Sequence, residues 1–110
     1  LLINQGFEIH LTSDHGNVDA VGQGRPKQGV AAEMRGERVR TYRSETLAAE
    51  SAASNPNSYR IEIAGLPANF LTLFAGEQTA FMPRGEQAVV HGGISIEELM
   101  VPFVKVSNVS

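Results

Sequence analysis

Two short stretches carry the side chains best suited to chemistry. Asp14-His15-Gly16 follows a strand-like apolar segment, and His91-Gly92-Gly93 follows Ala88-Val89-Val90. Carboxylate and imidazole are hard-to-borderline donors that suit zinc, manganese or iron. Inside a strand, adjacent side chains point to opposite faces; just past a strand end, a loop can turn both toward one cavity. A second strand-end histidine beside glycines is what a site at one edge of a sheet would use. Each stretch has a competing reading: an Asx-type turn at Asp14, and a turn at His91 in which Gly92 and Gly93 supply positive φ. Neither stretch decides the matter alone, and the two together favour ligands. His10 lies inside the first strand pattern and reads as a structural or surface histidine.

Arg35, Arg38, Arg40 and Arg43 crowd nine residues and could hold phosphate oxygens in bidentate fashion. Arg38 and Arg40 share a strand face, which makes them the candidates for substrate binding. Glu33, Glu37 and Glu45 are interleaved, and this favours a solvated, ion-paired face over a phosphate clamp. No Gly-x-x-x-x-Gly-Lys loop and no Gly-x-Gly-x-x-Gly fingerprint occurs, so nucleotide binding by those devices is unsupported. Ser13 does not sit in a Gly-x-Ser-x-Gly elbow.

The elements that must position these residues are legible from periodicity. Residues 7–12 alternate apolar and polar and empty into Ser13-Asp-His-Gly16, a strand running into a loop. Residues 17–29, with Gly16, Gly22, Gly24, Pro26 and Gly29, read as an extended loop or short irregular strands. Residues 37–43 predict a strand, residues 44–53 a short helix stopped at Ser54-Asn-Pro56, and residues 59–63 another strand. A turn spans 65–69. Residues 70–74 and 79–82 predict two strands joined at Gly76, and Val89-Val90 leads into His91. Ser95 begins a Ser-x-x-Glu capping box ending at Glu98, Pro102 stops that helical turn, and residues 103–106 close the chain as a strand. The class is α/β, β-rich, with about six strands and two short helices.

Composition narrows the function. The chain has 110 residues, no cysteine, and 9 basic against 12 acidic residues for a formal charge of -3. The length suits one domain with a modest core. Without cysteine there is no disulfide scaffold, thiolate metal site or thiol nucleophile. Mild acidity argues against a general polyanion binder. No apolar run approaches the roughly 18–20 residues that span a bilayer, and no signal-peptide pattern opens the chain. It begins at Leu1 without an initiator Met and reads as a piece cut from a longer protein.

Thr12-Ser-Asp-His-Gly-Asn17, taken with His91-Gly-Gly-Ile-Ser-Ile-Glu-Glu-Leu-Met-Val-Pro102, resembles the C-terminal part of the PglZ domain. That domain is a branch of the alkaline phosphatase superfamily found in BREX phage-defence systems. Val21-Gly-Gln-Gly-Arg-Pro26 and Ala32-Glu-Met-Arg-Gly-Glu-Arg-Val-Arg40 are also similar to PglZ proteins, so the resemblance spans nearly the whole chain. It implies that residues 1–110 are a single C-terminal fragment of a two-metal phosphoester hydrolase. Asp14 and His15 would bind one divalent ion and His91 the other, with zinc expected and manganese the alternative. The nucleophile and remaining ligands would lie in the N-terminal remainder of the parent chain, so the fragment alone would be inactive. The implied partners are that remainder, a phosphoester substrate and other phage-defence proteins. The expected location is cytoplasmic, without membrane contact and with nucleic acid only as a substrate. Two alternatives stay open: a part of a phosphoglycerate mutase-like metalloenzyme, which shares Asp-His-Gly-Asn, and a noncatalytic β-rich interaction module.

Overall fold

The computed structural model describes residues 1–26, 30–31 and 37–108. Among them nine strands form three sheets: a β1–β9 ribbon, a three-stranded sheet in the order β7-β2-β8, and a four-stranded sheet in the order β3-β4-β6-β5. The strands are β1 (Ile9–Thr12), β2 (Val18–Gly22), β3 (Val30–Ala31), β4 (Val39–Tyr42), β5 (Ser58–Ile61), β6 (Leu71–Ala75), β7 (Thr79–Ala80), β8 (Gln87–Val90) and β9 (Phe103–Val106). Two helices, α1 (Glu45–Ser54) and α2 (Ile96–Leu99), and a 3-10 turn at Leu2–Gln5 complete the fold. The mixed, strand-rich class and the two short helices are as expected. The strand count exceeds the expected six partly because β2 lies in the glycine-rich stretch and β3 just beyond it.

The four-stranded sheet is antiparallel throughout and carries α1 on one face. The Ser44 hydroxyl caps α1 by accepting from the Leu47 amide, and the helix stops at Asn55, whose side-chain amide donates to the Ser51 carbonyl at 2.8 Å. Pro56 follows, where helix cannot continue. Tyr42, Leu73, Ala75 and Phe81 pack with Ala48 of α1 into one core cluster. Val18 and Ala20 of β2, Ala80, Met82 and Val90 form a second cluster inside the three-stranded sheet.

Of the two readings of residues 17–29, an extended loop or short irregular strands, β2 favours the second, although it is regular. It alternates strictly between buried and exposed residues and is the central strand of its sheet, antiparallel to β8 and parallel to β7. Residues 27–29 of that stretch lie outside the described residues. Gly22 did not signal a break: a Cβ there would stand 2.0 Å from the Pro83 carbonyl oxygen, so glycine permits a close backbone approach within the strand.

The ribbon holds both ends of the described chain, and among the described residues no element covers it. Leu11, Phe103 and Val104 are exposed on it, and so are Ile96, Leu99 and Met100 around α2. The radius of gyration is 18.3 Å, against about 13 Å for a compact domain of this length. Among the described residues no helix is long and apolar enough to cross a membrane.

Candidate functional site

The antiparallel register of β2 and β8 brings the two histidine stretches together. Val18 pairs with Val90, so the residues just before β2 and just after β8 emerge at the same end of the ladder. There the His15 and His91 rings stack, with centroids 4.0 Å apart and planes 12° from parallel. Asp14 is exposed beside them, its Oδ1 lying 3.7 Å from His15 Nε2. Asp14, His15, His91 and Glu98 line an open cleft of about 380 Å³.

Hydrogen bonding fixes which nitrogen of His15 is available. His15 Nδ1 lies 2.6 Å from the Gly16 carbonyl oxygen, which can only accept, so in the neutral ring Nδ1 carries the proton and Nε2 the lone pair. A carbonyl on the far ring nitrogen is the arrangement that orients histidine ligands toward an ion. The donors present therefore suit a divalent metal in kind. In number they do not complete a site, since no group of three or more His, Asp or Glu side chains able to hold an ion occurs among the described residues.

Glu98 ties both histidine stretches to α2. Its backbone carbonyl accepts from the Gly16 amide at 2.8 Å. Its carboxylate accepts from the Gly93 amide at 2.9 Å, the Ser95 amide at 3.1 Å and the Ser95 hydroxyl at 2.8 Å. Beneath them Arg38 makes a bidentate pair with the same carboxylate, both contacts at 3.0 Å, and both side chains are buried. Burial pushes the Glu98 carboxyl up, but Arg38, the Ser95 hydroxyl and the Gly93 and Ser95 amides outweigh it and hold it at about 2.

The glycines of both stretches are required by this packing. A Cβ on Gly16 would lie 1.9 Å from the Glu97 carbonyl oxygen, and one on Gly93 would lie 2.6 Å from Glu98 Oε2. Gly92 does adopt positive φ, at +100°, as the turn reading supposed, whereas Gly93 serves close approach and not a left-handed turn.

The arginines correct the expectation of a solvated face. Arg38 is 1% exposed and, besides Glu98, donates to the Glu77 and Thr79 carbonyls. Arg40 donates to the Val39 and Phe81 carbonyls and to Glu37, and its guanidinium lies over the Phe81 ring. Both are thus held inside the protein by β4's core-facing side, and neither lines the histidine cleft. Glu33 and Arg35 lie outside the described residues. His10, expected as a structural or surface histidine, is exposed on β1, stacked on Phe103 at 5.3 Å and bonded to Glu8 at 2.7 Å.

Sequence reasoning missed the Arg38–Glu98 pair. The strand's own pattern carried no signal for it, since Val39 and Tyr42, of opposite parity, are both buried.

Compared with known families, residues 1–106 match PglZ, described as the BREX system PglZ alkaline phosphatase-like domain. The chain belongs to the PglZ family. No curated protein and no solved structure matches it. The match places both the Asp14-His15-Gly16 and the His91-Gly92-Gly93 stretches of this PglZ chain inside one family domain. Its BREX association points to other defence-system proteins as partners.

Proposed function

We propose that this PglZ chain is the C-terminal, metal-binding part of a phosphoester hydrolase acting in bacterial phage defence. The observation that carries the reading is the stacking of His15 on His91 beside Asp14, at loops that follow strands. Asp14 and His15 would hold one divalent ion, zinc or alternatively manganese, and His91 a second. When bound, such ions supply positive charge for the phosphoryl oxygens and for activation of the attacking oxygen. What this chain's own residues contribute is orientation: the Gly16 carbonyl fixes the His15 tautomer, and Glu98 holds both loops in register.

The exposed apolar residues of the ribbon and α2, with the extended shape, support burial of that side against an N-terminal remainder of the parent chain. That remainder would supply the nucleophile and the missing ligands, so the 110-residue chain alone should not exceed the buffer rate on aryl phosphates and should bind divalent metal weakly.

The decisive experiment uses the intact parent. Asp14→Ala, His15→Ala and His91→Ala should each abolish metal-dependent phosphomonoester or phosphodiester hydrolysis, while His10→Ala leaves it intact. Because such residues act as a unit, the Asp14→Ala/His91→Ala double variant should be no worse than either single one. Full activity in His91→Ala removes that histidine from the site and leaves a noncatalytic interaction module as the better reading.

A further inference from the structure

The β2–β8 ladder has a second end. Four residue steps beyond Val18, a distance of about 13 Å, β2 finishes at Gly22 and the chain enters Gln23-Gly24-Arg25. Here a separate cleft of about 310 Å³ opens between this segment, Arg84 and the last turn of α1. None of its lining residues lines the histidine cleft. The segment that lines it, Gln23 to Pro26, has no part in the site already described.

One wall carries two exposed arginines, Arg25 and Arg84. Arg84 makes no hydrogen bond or ion pair with any described residue. Arg25 reaches only Glu37, at 3.8 Å, and that carboxylate is shared with Arg40 at 3.3 Å. The side-chain nitrogen of Gln23 is buried with no acceptor among the described residues and does not face the open cleft. Two guanidiniums on one concavity suit an oxyanion, and phosphate matches the guanidinium fork. The opposite wall is different. Glu50 is acceptor-only, and the Ser54 hydroxyl spends its proton on the Glu50 carbonyl at 2.9 Å, leaving lone pairs for an incoming donor. That wall disfavours a bare phosphate and favours hydroxyl groups.

We propose that this cleft binds a phosphate monoester of a small polyhydroxylated alcohol, with the phosphate on Arg25 and Arg84 and the hydroxyls on Glu50 and Ser54. The volume suits a ligand of that size. At about 13 Å from the histidine end, the bound phosphate is a different group from any phosphoryl group held there. The proposal therefore stands whether or not the histidines bind metal.

The test is an NMR titration of the full chain with glycerol 3-phosphate and, separately, inorganic phosphate, at constant ionic strength. Saturable shifts of the Gln23, Gly24 and Ser51 amides are expected with glycerol 3-phosphate, and weaker binding of inorganic phosphate. Arg25→Ala and Arg84→Ala should each weaken glycerol 3-phosphate about tenfold or more, whereas Arg84→Lys should lose less. Glu50→Ala should erase the preference for the ester over inorganic phosphate. Unshifted β5 and β6 amides in each variant confirm that the fold is intact. Equal affinity for both probes, shifts confined to the His91 end, or undiminished binding in Arg84→Ala would overturn the proposal.

Discussion

Two apolar surfaces of this chain meet opposite fates. On the four-stranded sheet, Leu73 and Tyr42 are sealed with Phe81 and Ala48 of α1 in one cluster, none more than 2% exposed. On the ribbon and α2, Phe103, Ile96 and Met100 are each more than 70% exposed. Both surfaces are built from alternating strands with similar residues, so composition does not separate them. The difference is a covering layer: α1 supplies one to the sheet, and no described element supplies one to the ribbon. The histidine edge sits at the seam between the closed and the open half.

The sharpest way to break this comparison is through the pair that anchors the seam to the closed half. Arg38→Ala strands the buried Glu98 carboxylate and should cost about 3–5 kcal/mol, measured by urea unfolding. It should also disperse the His15 and His91 ring resonances from their shared environment. Phe81→Ala should cost a similar amount, about 3–5 kcal/mol, by leaving a cavity.

Acid probes the same anchor more gently. Glu98 titrates at about 2 when folded and at an ordinary 4.5 when unfolded, so the unfolded chain binds the proton more readily. Its stabilising contribution is complete above about 4.5 and is lost as pH falls toward about 2. The loss is on the order of 3 kcal/mol. Glu98→Gln should flatten this part of the stability–pH curve, and an unchanged acid limb would show that another group controls it.

The smallest expected effect is on the open half. Phe103→Ala should change the isolated chain's stability by less than about 0.5 kcal/mol, despite removing a side chain of the same type as Phe81. A penalty equal to that of Phe81→Ala would mean the ribbon is already covered in solution, and sedimentation would then reveal self-association.

Local signals in the sequence carried most of the fold. The Ser95-x-x-Glu98 pattern predicted α2 and its cap, Pro56 predicted the end of α1, and alternation placed β1, β4, β5 and β9 within one or two residues. Asp14, His15 and His91 were legible as strand-end residues, and the β2–β8 register brings them together. What failed was any inference in which a residue's role depended on a distant neighbour. Gly22 looked like a breaker because its reason, the Pro83 carbonyl, lies 61 positions away. Arg38 looked solvated because Glu98 is 60 positions away. Periodicity reports which face a side chain takes, and it cannot report what waits on that face.

The double attachment of Glu98 has a dynamic consequence. The Gly16 amide ends on its carbonyl and the Gly93 amide on its carboxylate, and both hang from a helix of four residues. A helix that short opens as one unit, so the two amides are released by a single event although 77 positions separate them. Their solvent-exchange rates should therefore match each other and that of the Leu99 amide. The two histidine loops then form one cooperative element, loosened or tightened by whatever comes to rest on the outer side of α2.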